Sequence, residues 1–168
     1  MQLVSPPVPP SEKGDVFTVG VIADTHGVLR PQAREALVGC DLIIHAGDIG
    51  SIQVIEELEP LAPVVAVRGN VDVLSWASGI PDTRVVEVGG ALLYVLHDLE
   101  ALDLDPGKAG MAAVVSGHTH HAVIEERGGV LYVNPGSAGP RRFHHPLSVA
   151  LLRVVGGSVA AELVELPT

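Results

Sequence analysis

The sequence predicts an α/β fold in which two mixed β-sheets pack together with helices outside, and three observations carry that prediction. The N-terminal half alternates short apolar runs with short helical stretches in a β-α-β-α-β rhythm, the pattern of parallel strands joined by right-handed crossovers. The C-terminal half holds Gly89-Gly90, Gly128-Gly129 and Gly156-Gly157, each between two runs of strand character. Gly-Gly suits the positive-φ turns of two-residue hairpins. Finally, hydrophobic residues make up 47% of the 168-residue chain but aromatics only 3%, so the core must be Val, Leu, Ile and Ala. Strand-rich α/β interiors use those residues. So many strands with so few helices require two packed layers of sheet.

In order along the chain, a first strand is expected over 18–23. Pro31 at a first helical position opens a helix over 32–38, and Gly39 closes it. A second strand covers 42–45. Ser51 is the expected N-cap of a helix over 52–58 that Pro60 ends, and a third strand covers 64–67. The expected hairpins pair 84–88 with 91–96, 122–127 with 130–133, and 148–155 with 158–165. Between the first two hairpins lie a short helix over 99–108 and a strand over 112–116. Residues 1–15, with Pro6, Pro7, Pro9 and Pro10, read as a flexible tail, and 16–168 as a single domain.

The totals narrow the function. No apolar run reaches the roughly 20 residues that span a bilayer, and residues 1–15 lack the apolar stretch of a secretory signal. The single cysteine, Cys40, reads as a small core residue, and nothing conflicts with a reducing cytoplasm. A formal charge of −10 with no basic stripe argues against a nucleic-acid polymer as partner. An anionic substrate would need local positive charge, which bound cations supply. An edge-strand or hairpin contact between copies is compatible with the sequence, though no residue demands one.

The chemistry gathers at the ends of the apolar runs. Val19-Gly-Val-Ile-Ala ends in Asp24-Thr-His26-Gly27, and four later runs end in His45-Ala-Gly-Asp48, Arg68-Gly-Asn70, Leu96-His97 and Gly117-His118-Thr-His120. If these runs lie side by side and point the same way, their ends set seven metal-competent side chains along one edge. In open α/β sheets ligands bind at that edge. The donors are nitrogen and oxygen with no thiolate, which suits Mn²⁺, Fe, Zn²⁺, Ni²⁺ or Co²⁺ better than Ca²⁺.

The ordered set Asp24-x-His26, Gly47-Asp48, Gly69-Asn70, His97, Gly117-His118-x-His120 resembles the calcineurin-like metallophosphoesterase superfamily, and most closely its small bacterial and archaeal phosphodiesterase branch. Val67-Arg68-Gly69-Asn70 and Asn134-Pro135-Gly136-Ser137 resemble that branch too. The resemblance spans roughly residues 16 to 165. It implies an αββα sandwich of two mixed sheets and two divalent cations, with Mn²⁺ preferred. By the same resemblance, Asp24, His26 and His120 would bind one ion, Asn70, His97 and His118 the other, and Asp48 would bridge them. A bridging hydroxide would attack phosphorus, as two-metal sites allow, with no protein nucleophile. The implied activity is hydrolysis of a small phosphodiester. The alternatives are a scaffold of this fold, as in a retromer subunit, and a phosphomonoesterase or nucleotide hydrolase.

The pattern departs from many members at two places. Val71 stands where they carry a histidine that protonates the leaving group. The small branch often lacks it as well, and poor leaving groups depend most on a general acid. Asp72 is a possible proton donor, with a turn-capping aspartate as the favoured alternative. Asp98 follows His97 where relatives commonly have glycine, and is expected to face solvent. His45 reads equally as a residue orienting a ligand or as a core histidine. His121 is expected at the rim, and His144 and His145 in a solvated loop. Arg68, Arg141 and Arg142 are the nearest cations, more readily structural ion pairs than phosphate clamps. Trp76 is expected to pin its loop.

Overall fold

A computed structural model describes residues 3–4, 15–141 and 145–167. The strands are β1 (Leu3–Val4), β2 (Val16–Ile22), β3 (Leu42–His45), β4 (Val64–Ala66), β5 (Thr83–Val88), β6 (Ala91–Leu96), β7 (Ala113–Val115), β8 (Val123–Arg127), β9 (Val130–Asn134), β10 (Ser148–Val155) and β11 (Ser158–Glu165). The helices are α1 (Pro31–Ala36) and α2 (Ile52–Leu58). One sheet runs β11-β10-β2-β3-β4 and the other β1-β5-β6-β7-β9-β8. Both are mixed: β2, β3 and β4 are parallel, as are β6, β7 and β9, while the hairpin partners are antiparallel. Within the stretch expected as a tail, Leu3–Val4 pairs in parallel with β5.

Period-two alternation explains the layering. On β2, Val19 and Val21 face the inter-sheet core with Leu42, Ile44, Leu93 and Val95, while Ile22 faces the helices with Ile43, Leu37 and Leu58. All these side chains are buried. Cys40 joins the helix-side core, where burial first and the Asp41 charge second push its thiol up to about 11. Pro31 takes the first turn of α1, and the Ser51 side chain accepts the Gln53 N–H to cap α2. All three Gly-Gly turns have φ between 55° and 84° at both residues, which is the two-residue turn that a right-handed strand twist favours. Two of these turns also meet across the sandwich, where the Gly157 N–H donates to the Gly89 carbonyl at 2.9 Å.

The expected helix over 99–108 is absent. A single 3-10 turn covers Leu99–Ala101, and Leu102 is already extended at ψ 118°. Pro106 accounts for this, because inside such a helix it would have no N–H for the Leu102 carbonyl and its ring would clash with that carbonyl. Leu99, Leu102 and Leu104 instead cover the outer face of the six-stranded sheet, over Tyr94, Leu96 and Val114. Helices therefore flank one outer face, and this irregular segment flanks the other. Among the described residues no helix is long and apolar enough to cross a membrane.

Candidate metal centre

Five strands deliver the candidate ligands from their carboxyl ends, but not as one row. Asp24, Asp48 and Asn70 follow β2, β3 and β4 of the five-stranded sheet, whereas His97 and His118 follow β6 and β7 of the other. The sandwich brings the two rows together. Backbone bonds join neighbouring loops: Asp24 N–H to Gly47 O and His26 N–H to Asp48 O at 2.9 Å each, and Gly117 N–H to His97 O at 2.9 Å. His97 Nδ1 donates to the Ala46 carbonyl at 2.7 Å and so ties one sheet's loop to the other's.

Six of the seven side chains fall into two groups. Asp24, His26 and His120 offer donor atoms all within 4.8 Å of one another, and Asp48, His97 and His118 do the same. In the first, His26 Nε2 lies 3.4 Å from His120 Nε2, and Asp24 Oδ1 lies 3.6 Å from His120 Nε2. Asp48 Oδ2 stands between the groups, 3.3 Å from His97 Nε2 and 3.7 Å from His26 Nε2. Donors bonded to one cation at about 2.0–2.2 Å lie roughly 3–3.5 Å apart. These separations therefore fit the edges of two adjoining coordination shells, and the donor set suits transition-metal dications. Asn70 is exposed, beside His97, in the wall of a cavity of about 250 Å³.

The backbone carries the mark of this convergence. Asp24, His26, Asp48, His118 and His120 all adopt φ between 49° and 73°, and among the described residues no other non-glycine has positive φ. Asp and His tolerate that region better than most residues, yet it still costs of order 1 kcal/mol per residue. The strain falls on the candidate ligands alone.

Protonation follows from the contacts. Burial works against the charge on Asp48, but the hydrogen bond from His97, the Val71 N–H at 3.1 Å and the His97 and His26 charges outweigh it, so its carboxyl is lowered to about 2. Burial likewise opposes a charged His97, yet Asp48 and the Ala46 carbonyl hold its pKa above the ordinary value of 6.5. Stability from Asp48 is fully present above the ordinary 3.8 and is lost as pH falls through about 2. Stability from His97 is present below 6.5 and is lost as pH rises through its raised folded value. Urea unfolding of chelator-treated protein is expected to show both losses, and His97→Gln should flatten the alkaline one.

His45 is fully buried and neutral, its pKa pushed down to about 3 by burial first and by the His97 charge next. Its Nδ1 accepts the Gly47 N–H at 3.1 Å, so Nε2 donates to Thr25 Oγ at 2.9 Å, and Thr25 donates to the Ile49 carbonyl at 2.8 Å. It binds the Asp24–His26 loop to the Asp48 loop without touching a candidate donor atom. Thr25→Val should cost about 1–3 kcal/mol, because it leaves the His45 Nε2–H buried and unsatisfied, while the Ile49 carbonyl keeps the Gly27 N–H at 2.7 Å. Chemical denaturation measures it.

Asp72 is buried, and its carboxylate accepts three backbone N–H groups, from Ile49 at 3.1 Å, Gly50 at 2.9 Å and Gly69 at 2.8 Å. It clasps the Asp48 and Asn70 loops together, and a proton-donor role does not fit that arrangement. Asp98 does not simply face solvent: Oδ1 accepts the Glu100 N–H at 3.0 Å, and Oδ2 lies 3.9 Å from His118 Nε2. Trp76 packs on the helix-side core. His121 is exposed, its ring centroid 5.0 Å from that of His145. Arg68 pairs with Asp82 at 3.0 Å, Arg141 is exposed, and Arg142 and His144 lie outside the described residues.

Two further positioning residues emerge only in three dimensions. Asn134 Nδ2 donates to Gly117 O at 2.8 Å and Thr119 Oγ at 3.2 Å, while its Oδ1 accepts Gly136 N–H, which fixes the His118–His120 loop. Ser137 Oγ donates to the Asp24 carbonyl at 3.2 Å. The Asn134-Pro-Gly-Ser137 run was the sequence signal, though it carried no role. Outer contacts of this kind are typically worth about 10–100-fold in metal affinity. Asn134→Ala is expected to weaken divalent-ion binding by that order in calorimetric titration.

The chain matches the model of the calcineurin-like phosphoesterase superfamily domain over residues 17–157. It is 35% identical over 158 residues to a probable metallophosphoesterase of Methanothermobacter thermautotrophicus, covering 87% of this chain and 91% of that one. It is 32% identical over 137 residues to a phosphodiesterase of Methanocaldococcus jannaschii, covering 70% of this chain and 82% of that one. Among solved structures it is similar to Vps29 of Entamoeba histolytica in complex with zinc, with a TM-score of 0.68 and 25% identity over 89% of this chain and 99% of that one.

Proposed function

Because the chain belongs to the calcineurin-like phosphoesterase superfamily, we propose that it is a metal-dependent phosphodiesterase that uses two divalent cations, preferably Mn²⁺. The observation that supports this most is the pair of adjoining donor groups with Asp48 Oδ2 between them. Asp24, His26 and His120 would hold one ion, His97 and His118 with Asn70 the other, and Asp48 both. Bound there, two ions acidify a water and offset charge developing on phosphoryl oxygens.

The chain's own residues set the rest. The Ala46 carbonyl accepts a hydrogen bond from His97 Nδ1–H and so leaves Nε2 directed at Asp48. That Nε2 must be free of its proton to ligate, so metal uptake should strengthen as pH rises. Val71 cannot donate a proton, and Asp72 is held by backbone, so the leaving group departs without help from either. Good leaving groups and diesters are therefore favoured over unactivated monoesters.

The test is a panel of bis(4-nitrophenyl) phosphate and 4-nitrophenyl phosphate across Mn²⁺, Zn²⁺, Ni²⁺ and Co²⁺. The diester should be hydrolysed faster, and only with metal. Faster monoester turnover across several leaving groups would identify a monoesterase. Ion uptake without hydrolysis of either ester would identify a binding role.

A further inference from the structure

We propose that the cavity beside His97 receives one ester arm of the substrate, and that its charges select an uncharged or cationic arm over an anionic one. This rests on the phosphodiesterase reading above, and deepens it to a substrate class. The cavity holds about 250 Å³ and is walled by Arg68, Asn70, Asp82, Leu96, His97 and Asp98. A cavity of about 150 Å³ accepts a benzene ring, so an aryl group or a short polyol fits here.

Its charge balance decides what enters. The one guanidinium, Arg68, is already engaged: Nε and Nη2 both donate to Asp82 Oδ1, at 3.1 and 3.0 Å. Asp98 adds a second carboxylate, 3.9 Å from His118. With Asp24, Asp48 and the phosphoryl oxygens offsetting the charge of the two ions, an arm in this cavity meets two further carboxylates and a cation already paired. A second phosphate or a carboxylate on the arm would be repelled, whereas a phenyl, glycerol or amino-alcohol arm would not. Arg68 is half-buried but Asp82 is exposed, so the discrimination is moderate and weakens with salt.

Binding of phosphinates, in which carbon replaces both ester oxygens, to the Mn²⁺-supplemented full chain tests this without turnover. Benzyl(methyl)phosphinate is expected to bind at least about tenfold more tightly than (4-carboxybenzyl)(methyl)phosphinate at low salt, and a 4-(aminomethyl)benzyl arm at least as tightly as benzyl. Asp82→Asn releases Arg68 and should shrink the ratio to within about threefold, chiefly by tightening the carboxylate ligand. A tenfold ratio that the variant narrows supports the proposal. Equal affinities in the parent protein, a ratio unmoved by Asp82→Asn, or no binding of either phosphinate would overturn it. The affinity ratio is independent of whether a diester is turned over, so failure of the parent reading appears separately in the ester panel.

Discussion

Asp48→Ala is expected to lower kcat/KM for bis(4-nitrophenyl) phosphate by about 10³-fold or more. Its Oδ2 lies 3.7 Å from His26 and 3.3 Å from His97, one histidine of each donor group, whereas Asp24 Oδ1 sits 3.6 Å from His120 and only reaches His97 at 4.0 Å. A two-metal clamp supplies several kcal/mol of transition-state stabilisation, and each 1.36 kcal/mol is tenfold in rate, which sets that magnitude. The substitution leaves the Val71 N–H without its carboxylate partner, a smaller effect of about 1 kcal/mol on folding. The expected signature is therefore severe loss of activity and of bound metal with a modest fall in Tm. His118→Ala should also abolish activity. An Asp48→Ala protein that keeps more than a tenth of the parent rate would remove the bridging role.

Gly69→Ala is expected to be the next most damaging change, although Gly69 offers no ligand. Its backbone dihedrals are not the reason, since its φ is not positive. Space is the reason: a Cβ there would overlap the backbone nitrogen and Oδ1 of Asp48. Neither can give way without moving the carboxylate, because His26 N–H bonds the Asp48 carbonyl and Val71 N–H its side chain. Overpacking of this kind costs about 1–3 kcal/mol, and a misplacement of about 1 Å costs about 10²-fold in rate. Loss of about 10²-fold in kcat/KM together with a Tm lower by several degrees is expected. Gly79→Ala, with nothing within 4 Å of its added carbon, is the matched control.

Much of this arrangement was legible in the chain, for identifiable reasons. A Gly-Gly pair between two strand-like runs has few ways to fold, so all three hairpins could be read. Ser51 and Pro31 mark helix starts by their own chemistry. The strand-end Asp and His residues stand out because each follows an apolar run, and the structure gathers six of them into two groups. Their division between two sheets was not legible, because one edge or two facing edges give the same order in sequence. The segment after Asp98 misled because its leucines suggest a helix that Pro106 forbids. The His45–Thr25 and Asn134–Gly117 bonds were invisible for another reason: side chain to loop contacts between distant segments leave no periodicity. Nor did five Asp and His residues announce a left-handed backbone that sequence reading assigns first to glycine.

The central claim is that these side chains act together on two ions, and one titration tests it most directly. Chelator-treated protein is given Mn²⁺ in steps while hydrolysis of bis(4-nitrophenyl) phosphate is followed. Activity should be absent at the start, rise steeply as the second equivalent per chain binds, and level off thereafter. Full turnover before any metal is added, or saturation at one equivalent, would contradict it.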